Sequence, residues 1–140
     1  VPVRRGRFDR KALRQANEVL GERGLLGIFP EGSRNPDTQL QRGLPGAALL
    51  ALRSGVSITP VGITGTKQLR GISWLIHRPQ ITINIGQPFK LPQPDGKLTS
   101  NRLASLTDFI MKQIAELLPE EYRGVYRTKV REEISLVSEG

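Results

Sequence analysis

Cysteine is absent from this sequence, and histidine occurs once among its 140 residues. Without cysteine the chain cannot form disulfides, thiolate zinc sites or a cysteine nucleophile. A single histidine is too few for a metal site built from histidine ligands. We therefore predict no metal and no resident cofactor.

Aromatic residues and long apolar runs are also scarce. Aromatic side chains make up only 5% of the residues, which leaves few rings to stack on the bases of single-stranded nucleic acid. The basic residues are spread along the chain and form no recognisable nucleic-acid-binding motif. The longest apolar stretch, residues 47–52, falls far short of the ~20 residues that cross a bilayer. These features argue against a nucleic-acid partner and a transmembrane helix.

Positive charge is abundant. The formal net charge is +8, which favours an anionic partner such as nucleic acid, an anionic membrane surface or a phosphorylated small molecule. The hydrophobic share of 37% and the charged share of 24% are typical of globular proteins. A chain of this length is also long enough to bury a core of its own.

Helices and strands alternate along the chain in the predicted secondary structure. Hydrophobic periodicity and capping residues predict helices over residues 9–20, 45–52 and 99–118. Apolar and alternating runs predict strands over residues 25–29, 57–63 and 81–85. We also expect residues 1–3 to form a strand and residues 30–43 to form a long polar loop. This order predicts an α/β fold with a mixed, mostly parallel sheet flanked by helices. Residues 1–126 would belong to one domain, and residues 127–140 would form a charged C-terminal tail.

Phe29-Pro30-Glu31-Gly32-Ser33-Arg34 carries the most chemical information. The predicted strand delivers this loop to one end of the sheet, where open α/β folds bind ligands. Gly32 lets the backbone approach a ligand closely, and Arg34 offers a planar set of donors suited to phosphate. By itself, the stretch is equally compatible with a strand-ending turn that carries an exposed ion pair.

Two further segments lie at the ends of predicted strands. They are Pro2-Val3-Arg4-Arg5-Gly6 and Thr59-Pro60-Val61. Together with residues 29–34 they resemble, in order and separation, the second to fourth conserved blocks of the glycerophospholipid acyltransferases. Residues 81–92 and 118–124 also resemble bacterial members of that family, so the resemblance extends over nearly the whole chain.

The resemblance implies a role for each matching residue. Arg5, with Glu31, Gly32, Ser33 and Arg34, would bind the phosphate of the acceptor substrate. Ser33 stands where the family usually has threonine, which keeps the hydroxyl. Pro60 would contact the acyl donor or shape the site.

Two departures from the family pattern bear on activity. Many relatives have a lysine shortly before the glycine that opens the next helix, and here that position is Leu44, with Arg42 as a candidate replacement. The family's first block, His-x-x-x-x-Asp, is absent from the chain, because His77 is followed five residues later by Thr82. We interpret His77 as a surface or loop histidine. We expect the catalytic histidine and aspartate to lie upstream of Val1, so that the chain is an N-terminally truncated domain without catalytic residues.

The resemblance implies an acyltransferase of phospholipid biosynthesis. The enzyme would transfer a fatty acyl group from acyl-coenzyme A or acyl-acyl carrier protein to a lysophospholipid, with 1-acyl-glycerol-3-phosphate giving phosphatidic acid. It would work at the cytoplasmic face of the cell membrane, held peripherally or through its N-terminal part. The alternative is a non-catalytic remnant that binds phosphate or lipid.

Overall fold

The computed structural model describes residues 10–32, 39–66, 80–94 and 96–127. These residues contain helices α1 (Arg10–Gly21), α2 (Gly46–Ser54) and α3 (Ser100–Glu116). They also contain strands β1 (Val61–Thr64) and β2 (Thr82–Ile85), and two short 3-10 turns, Glu120–Tyr122 and Gly124–Tyr126. Both helices and strands occur, which agrees with the predicted α/β class. The predicted first strand and most of the predicted tail lie outside these residues.

Helix α3 is the centre of the core. It begins after Thr99, whose hydroxyl accepts a hydrogen bond from the Arg102 N–H at 3.2 Å and caps the helix. Its apolar side chains recur at helical spacing and therefore fill two clusters, one on either side. The first cluster joins α3 to the C-terminal turns through Leu40, Met111, Ala115, Leu118 and Tyr126. The second joins α3 to α2 and to the segment after β2 through Ala48, Ala51, Leu52, Leu91, Leu106 and Ile110.

Helix α2 is short and buries its central residues 48–52, as its apolar sequence predicts. It ends at Gly55, which adopts a left-handed conformation (φ 65°) and donates its N–H to the Ala51 carbonyl at 2.9 Å. Glycine is favoured at this position because a Cβ disfavours that conformation. Helix α1 lies against α2 and buries Ala16.

Strands β1 and β2 form an antiparallel pair in which Val61 lies opposite Ile85. The pairing is extended by an isolated bridge between Ile58 and Phe89. One face of the pair packs on the end of α3, where the Asn84 side-chain amide donates to the Leu117 carbonyl at 2.8 Å. A mostly parallel sheet is not shown by the described strands, because they pair only with each other and in antiparallel fashion.

The predicted buried strand over residues 25–29 was wrong. This segment belongs to neither strand, and Leu25 and Phe29 are 97% and 80% exposed. An apolar run indicates that a segment can be buried, but a strand also requires a neighbouring strand that pairs with it. The sequence pattern shows that the segment is apolar, but it does not reveal whether another strand pairs with it.

Candidate functional site

The residues of the predicted phosphate-binding motif that the structure describes form a tight turn. We call Phe29–Gly32 the motif turn. It is closed by a hydrogen bond from the Gly32 N–H to the Phe29 carbonyl at 3.0 Å. Gly32 has a φ of 68°, a conformation that L side chains rarely adopt. A Cβ at Gly32 would meet only the Leu44 side chain, which is exposed and can move aside, so the backbone conformation is the main reason for glycine here.

The Glu31 carboxylate connects this turn to a second segment. Its Oε2 accepts a hydrogen bond from the Gln41 backbone N–H at 2.9 Å. Three residues further on, the Leu44 N–H donates to the Pro30 carbonyl at 2.7 Å. We call Leu40–Leu44 the bracing segment, because its backbone is bound to the motif turn at these two points. The predicted long loop therefore has a fixed end.

The bracing segment is itself held by the C-terminal turns. The Leu40 N–H donates to the Tyr122 carbonyl at 2.8 Å, and the Leu40 carbonyl accepts from the Val125 N–H at 3.3 Å. Gly124 permits this approach, since a Cβ on it would overlap the Leu40 carbonyl. The backbone of Leu40 is thus fixed by residues more than 80 positions away in the sequence.

A second connection runs through the hydroxyl of Tyr126, a residue that is only 1% exposed. The hydroxyl oxygen accepts a hydrogen bond from the Gly43 N–H at 3.3 Å. The hydroxyl donates in turn to Oδ1 of Asp108 on α3 at 3.1 Å. Gly43 lies close against the helix, because a Cβ there would come within 2.6 Å of the Met111 Cγ. The bracing segment is therefore bound at Leu40 and again at Gly43.

The environment of Tyr126 favours its neutral form. Burial raises the pKa of Tyr126 above its ordinary value, and the Asp108 carboxylate raises it further by its charge and its hydrogen bond. The Gly43 N–H and the positive charge of Arg42 oppose that rise in pKa. The hydroxyl hence keeps its proton at neutral pH and can donate to Asp108.

Arg42 lies between the two anchored residues of the bracing segment. Its side chain is exposed, while its neighbours Gln41 and Gly43 are bound to Glu31 and Tyr126. Leu44, at the position where the family resemblance leads us to expect lysine, is 54% exposed and lies against Gly32. The site consequently presents a cation from Arg42 and an apolar surface from Leu44. Whether Arg42 replaces the lysine stays a prediction.

The predicted site residues are only partly covered by the structure. Glu31 and Gly32 lie together in the motif turn, as described above. Arg5, Ser33 and Arg34 lie outside the described residues, and so does His77. Pro60 is buried directly before β1, and its carbonyl accepts from the Gly86 N–H at 2.9 Å. Its described contacts therefore connect Pro60 to the end of β2.

Sequence reasoning missed the residues that hold the motif turn in place. These are Gln41 and Gly43 of the bracing segment, with Asp108 and Tyr126 beneath them. Glycine at positions 43 and 124 was the available signal, because glycine marks places where backbones approach closely. That signal does not identify the partner, so the contact could not be assigned from sequence.

Neither a membrane span nor a metal-ligand cluster was found in the part of the chain that the structure describes. None of its helices is long and apolar enough to cross a bilayer. It also contains no group of three or more His, Cys, Asp or Glu side chains arranged to hold a metal ion.

Comparisons with known proteins identify relatives. A family model described as "Acyltransferase" matches residues 1–64. A 1-acyl-sn-glycerol-3-phosphate acyltransferase of Chlamydomonas reinhardtii is 29% identical over 121 residues, covering 84% of this chain and 34% of that protein. The chain thus spans about a third of the length of this curated relative. No solved structure matches the chain significantly. The two matches confirm the family resemblance predicted from the sequence.

Proposed function

We propose that this chain, which resembles the glycerophospholipid acyltransferases, is part of an enzyme that acylates a lysophospholipid. The acceptor is 1-acyl-glycerol-3-phosphate and the product is phosphatidic acid. The donor is a fatty acyl thioester of coenzyme A or of acyl carrier protein. The matched relative, named as a 1-acyl-sn-glycerol-3-phosphate acyltransferase, supports this choice of acceptor.

The observation that carries the proposal is the fixed geometry of the motif turn. The Glu31 carboxylate accepts the Gln41 N–H, and the Pro30 carbonyl accepts the Leu44 N–H, at 2.9 and 2.7 Å. Both bonds restrain the backbone that leads into Ser33 and Arg34. Phosphate recognition by arginine depends on such restraint, because a bidentate contact requires the guanidinium plane to be oriented.

The reaction also requires a general base, which this sequence does not supply. In our proposal the family's His-x-x-x-x-Asp pair comes from another part of the whole protein, together with further strands of a mostly parallel sheet. The histidine would remove the proton from the acceptor hydroxyl, and the hydroxyl oxygen would attack the thioester carbonyl. The carbon–sulfur bond would then break, and the departing thiolate would take up a proton.

We further propose that the protein acts at the cytoplasmic face of the cell membrane. Its substrates would be lipids, and its net charge of +8 suits an anionic surface. Each Lys or Arg close to such a surface contributes about 1 kcal/mol to binding.

Arginine substitutions test the proposal. Losing one charge-assisted contact to phosphate costs roughly 1.5–3 kcal/mol, so Arg5→Ala or Arg34→Ala should weaken binding of 1-acyl-glycerol-3-phosphate by about 10- to 100-fold. Binding of acyl-coenzyme A should change little. Arg102→Ala, at an exposed position on α3, removes the same charge and should leave both affinities as they are. Equal losses for acceptor and donor would show that Arg5 and Arg34 are structural.

The same titrations, followed by a turnover assay, test the alternative of a non-catalytic binding remnant. The specific observation favouring it is the lack of the His-x-x-x-x-Asp block in this sequence. Removing a general base usually costs about 10²- to 10⁴-fold in rate, so we expect the 140-residue chain to bind the acceptor without appreciable turnover. Turnover by this chain would refute the need for a base from elsewhere. Turnover after the chain is joined to a segment containing the block would refute the remnant.

A further inference from the structure

The hydroxyl of Tyr126 occupies a central place in the hydrogen bonds around the motif turn. It accepts from the Gly43 N–H at 3.3 Å and donates to Asp108 at 3.1 Å. Two residues before Gly43, the Gln41 N–H donates to the Glu31 carboxylate at 2.9 Å. A single buried hydroxyl therefore connects α3 to the segment that binds the motif turn.

The bracing segment has little freedom between its anchors. At one end Leu40 is bound by both its N–H and its carbonyl to the C-terminal turns. At the other end Gly43 rests on Met111 and is bound to Tyr126. Only Gln41 and Arg42 lie between these anchors, so the direction of the Gln41 N–H depends on both of them. Interior groups packed this closely transmit small displacements.

The hydroxyl, and not the ring alone, makes this connection. The Tyr126 ring fills the first core cluster, as a phenylalanine ring could. Without the oxygen, however, the Gly43 N–H would lose its acceptor and Asp108 would lose a donor. Gly43 and Asp108 are half-buried, so the lost bonds leave polar groups with limited access to water, and the local backbone would move to find water or another partner.

We infer that Tyr126 is a positioning residue for the phosphate-binding site, acting through Gly43 and Gln41 on the Glu31 carboxylate. The effect on the acceptor rests on the proposed function. The effect on the backbone does not, because it follows from hydrogen bonds within the chain. Tyr126 touches no substrate in this scheme and sets the geometry of the residues that would.

Tyr126→Phe in the full chain tests the inference by amide hydrogen exchange. We expect protection of the Gln41 and Gly43 amides to fall about 10-fold, while amides of α2 such as Leu50 keep theirs. A merely structural role would lower protection throughout the core. Tyr122→Phe is the matched control, because the Tyr122 ring packs on the same cluster. The Leu40 N–H donates to the Tyr122 backbone carbonyl, which this substitution keeps. Unchanged protection of Gln41 in Tyr126→Phe would overturn the inference.

The second measurement is the affinity for glycerol 3-phosphate, followed by titration. Tyr126→Phe should raise its Kd by about 2- to 10-fold, the equivalent of one hydrogen bond. Tyr122→Phe should leave it unchanged. Failure of the wild-type chain to bind this probe would argue against a phosphate site in this chain, and the exchange data alone would then decide whether Tyr126 positions the turn. If wild type binds and Tyr126→Phe binds equally well, the positioning role is refuted.

Asp108 provides a second variant that keeps the test decisive if Tyr126→Phe folds poorly. Asp108→Asn keeps an oxygen that can accept from the tyrosine hydroxyl, whereas Asp108→Ala removes it. We expect Asp108→Asn to retain most of the Gln41 protection and Asp108→Ala to lose it. Equal protection in both variants would contradict the proposed path through the hydroxyl.

Discussion

Gly124→Ala directly tests the attachment of the bracing segment. Gly124 has a φ of 51° and lies against the Leu40 carbonyl, with which an added Cβ would overlap. Because the obstructing atom is backbone, no side-chain rotation can relieve the overlap. Leu40 would have to move away from the C-terminal turns and carry the bracing segment with it.

Two costs add up in this variant. Placing alanine in the left-handed region costs about 1–2 kcal/mol. Displacing Leu40 weakens its hydrogen bonds to Tyr122 and Val125, each worth about 0.5–1.5 kcal/mol net. The expected loss in free energy of unfolding is therefore about 2–5 kcal/mol, a large share of the 5–15 kcal/mol typical of a domain.

Gly55→Ala is the matched control. Gly55 has a similar φ of 65°, but nothing lies within 4 Å of the Cβ that alanine would add there. The free energy of unfolding of Gly55→Ala should fall only by the cost of placing alanine in the left-handed region, about 1–2 kcal/mol. Urea denaturation of both variants, with m-values compared to confirm two-state unfolding, measures the difference. If Gly124→Ala is no less stable than Gly55→Ala, the contact between Gly124 and Leu40 does not exist as described.

Two further predictions concern pH and the membrane. Because the pKa of Tyr126 is raised in the folded state, its contribution to stability is complete below its ordinary pKa of 10.0 and is lost as the pH rises above that value. The urea midpoint should therefore fall less between pH 8 and pH 11 in Tyr126→Phe than in wild type. An equal fall in both would contradict the raised pKa of Tyr126. With a net charge of +8, the chain should sediment with phosphatidylglycerol vesicles at low salt and dissociate as salt rises. Equal binding to uncharged phosphatidylcholine vesicles would exclude an electrostatic role.

Local signals in the sequence predicted the helices well. The helix predicted over residues 99–118 corresponds to α3, which begins at Ser100 after its cap Thr99. The helix predicted over residues 45–52 corresponds to α2, which ends at Gly55 in a left-handed conformation. Capping and periodicity act over a few residues, so they can be recognised without knowing the rest of the fold. The strand predicted over residues 81–85 was confirmed for the same reason.

Contacts between distant segments could not be predicted in this way. The residues at 25–29 have the composition of a strand, but whether they form one depends on a partner elsewhere in the chain. The hydrogen bond between Gly43 and Tyr126 spans 83 positions, and neither residue type specifies the other. The motif turn could thus be identified from sequence, while the residues that hold it could not.

The geometry of Glu31 limits what its carboxylate can do for a phosphate group. The carboxylate and the phosphate are both anionic acceptors, so direct contact between them would be repulsive. A glutamate in a phosphate-binding motif therefore acts by holding other groups, and the group that Glu31 holds is the Gln41 N–H at 2.9 Å. Because Gln41 is held between Leu40 and Gly43, whatever fixes those two residues also fixes the carboxylate. If Glu31 belongs to an acceptor-binding site, as we propose, it would act there indirectly, through the bracing segment that Tyr126 holds.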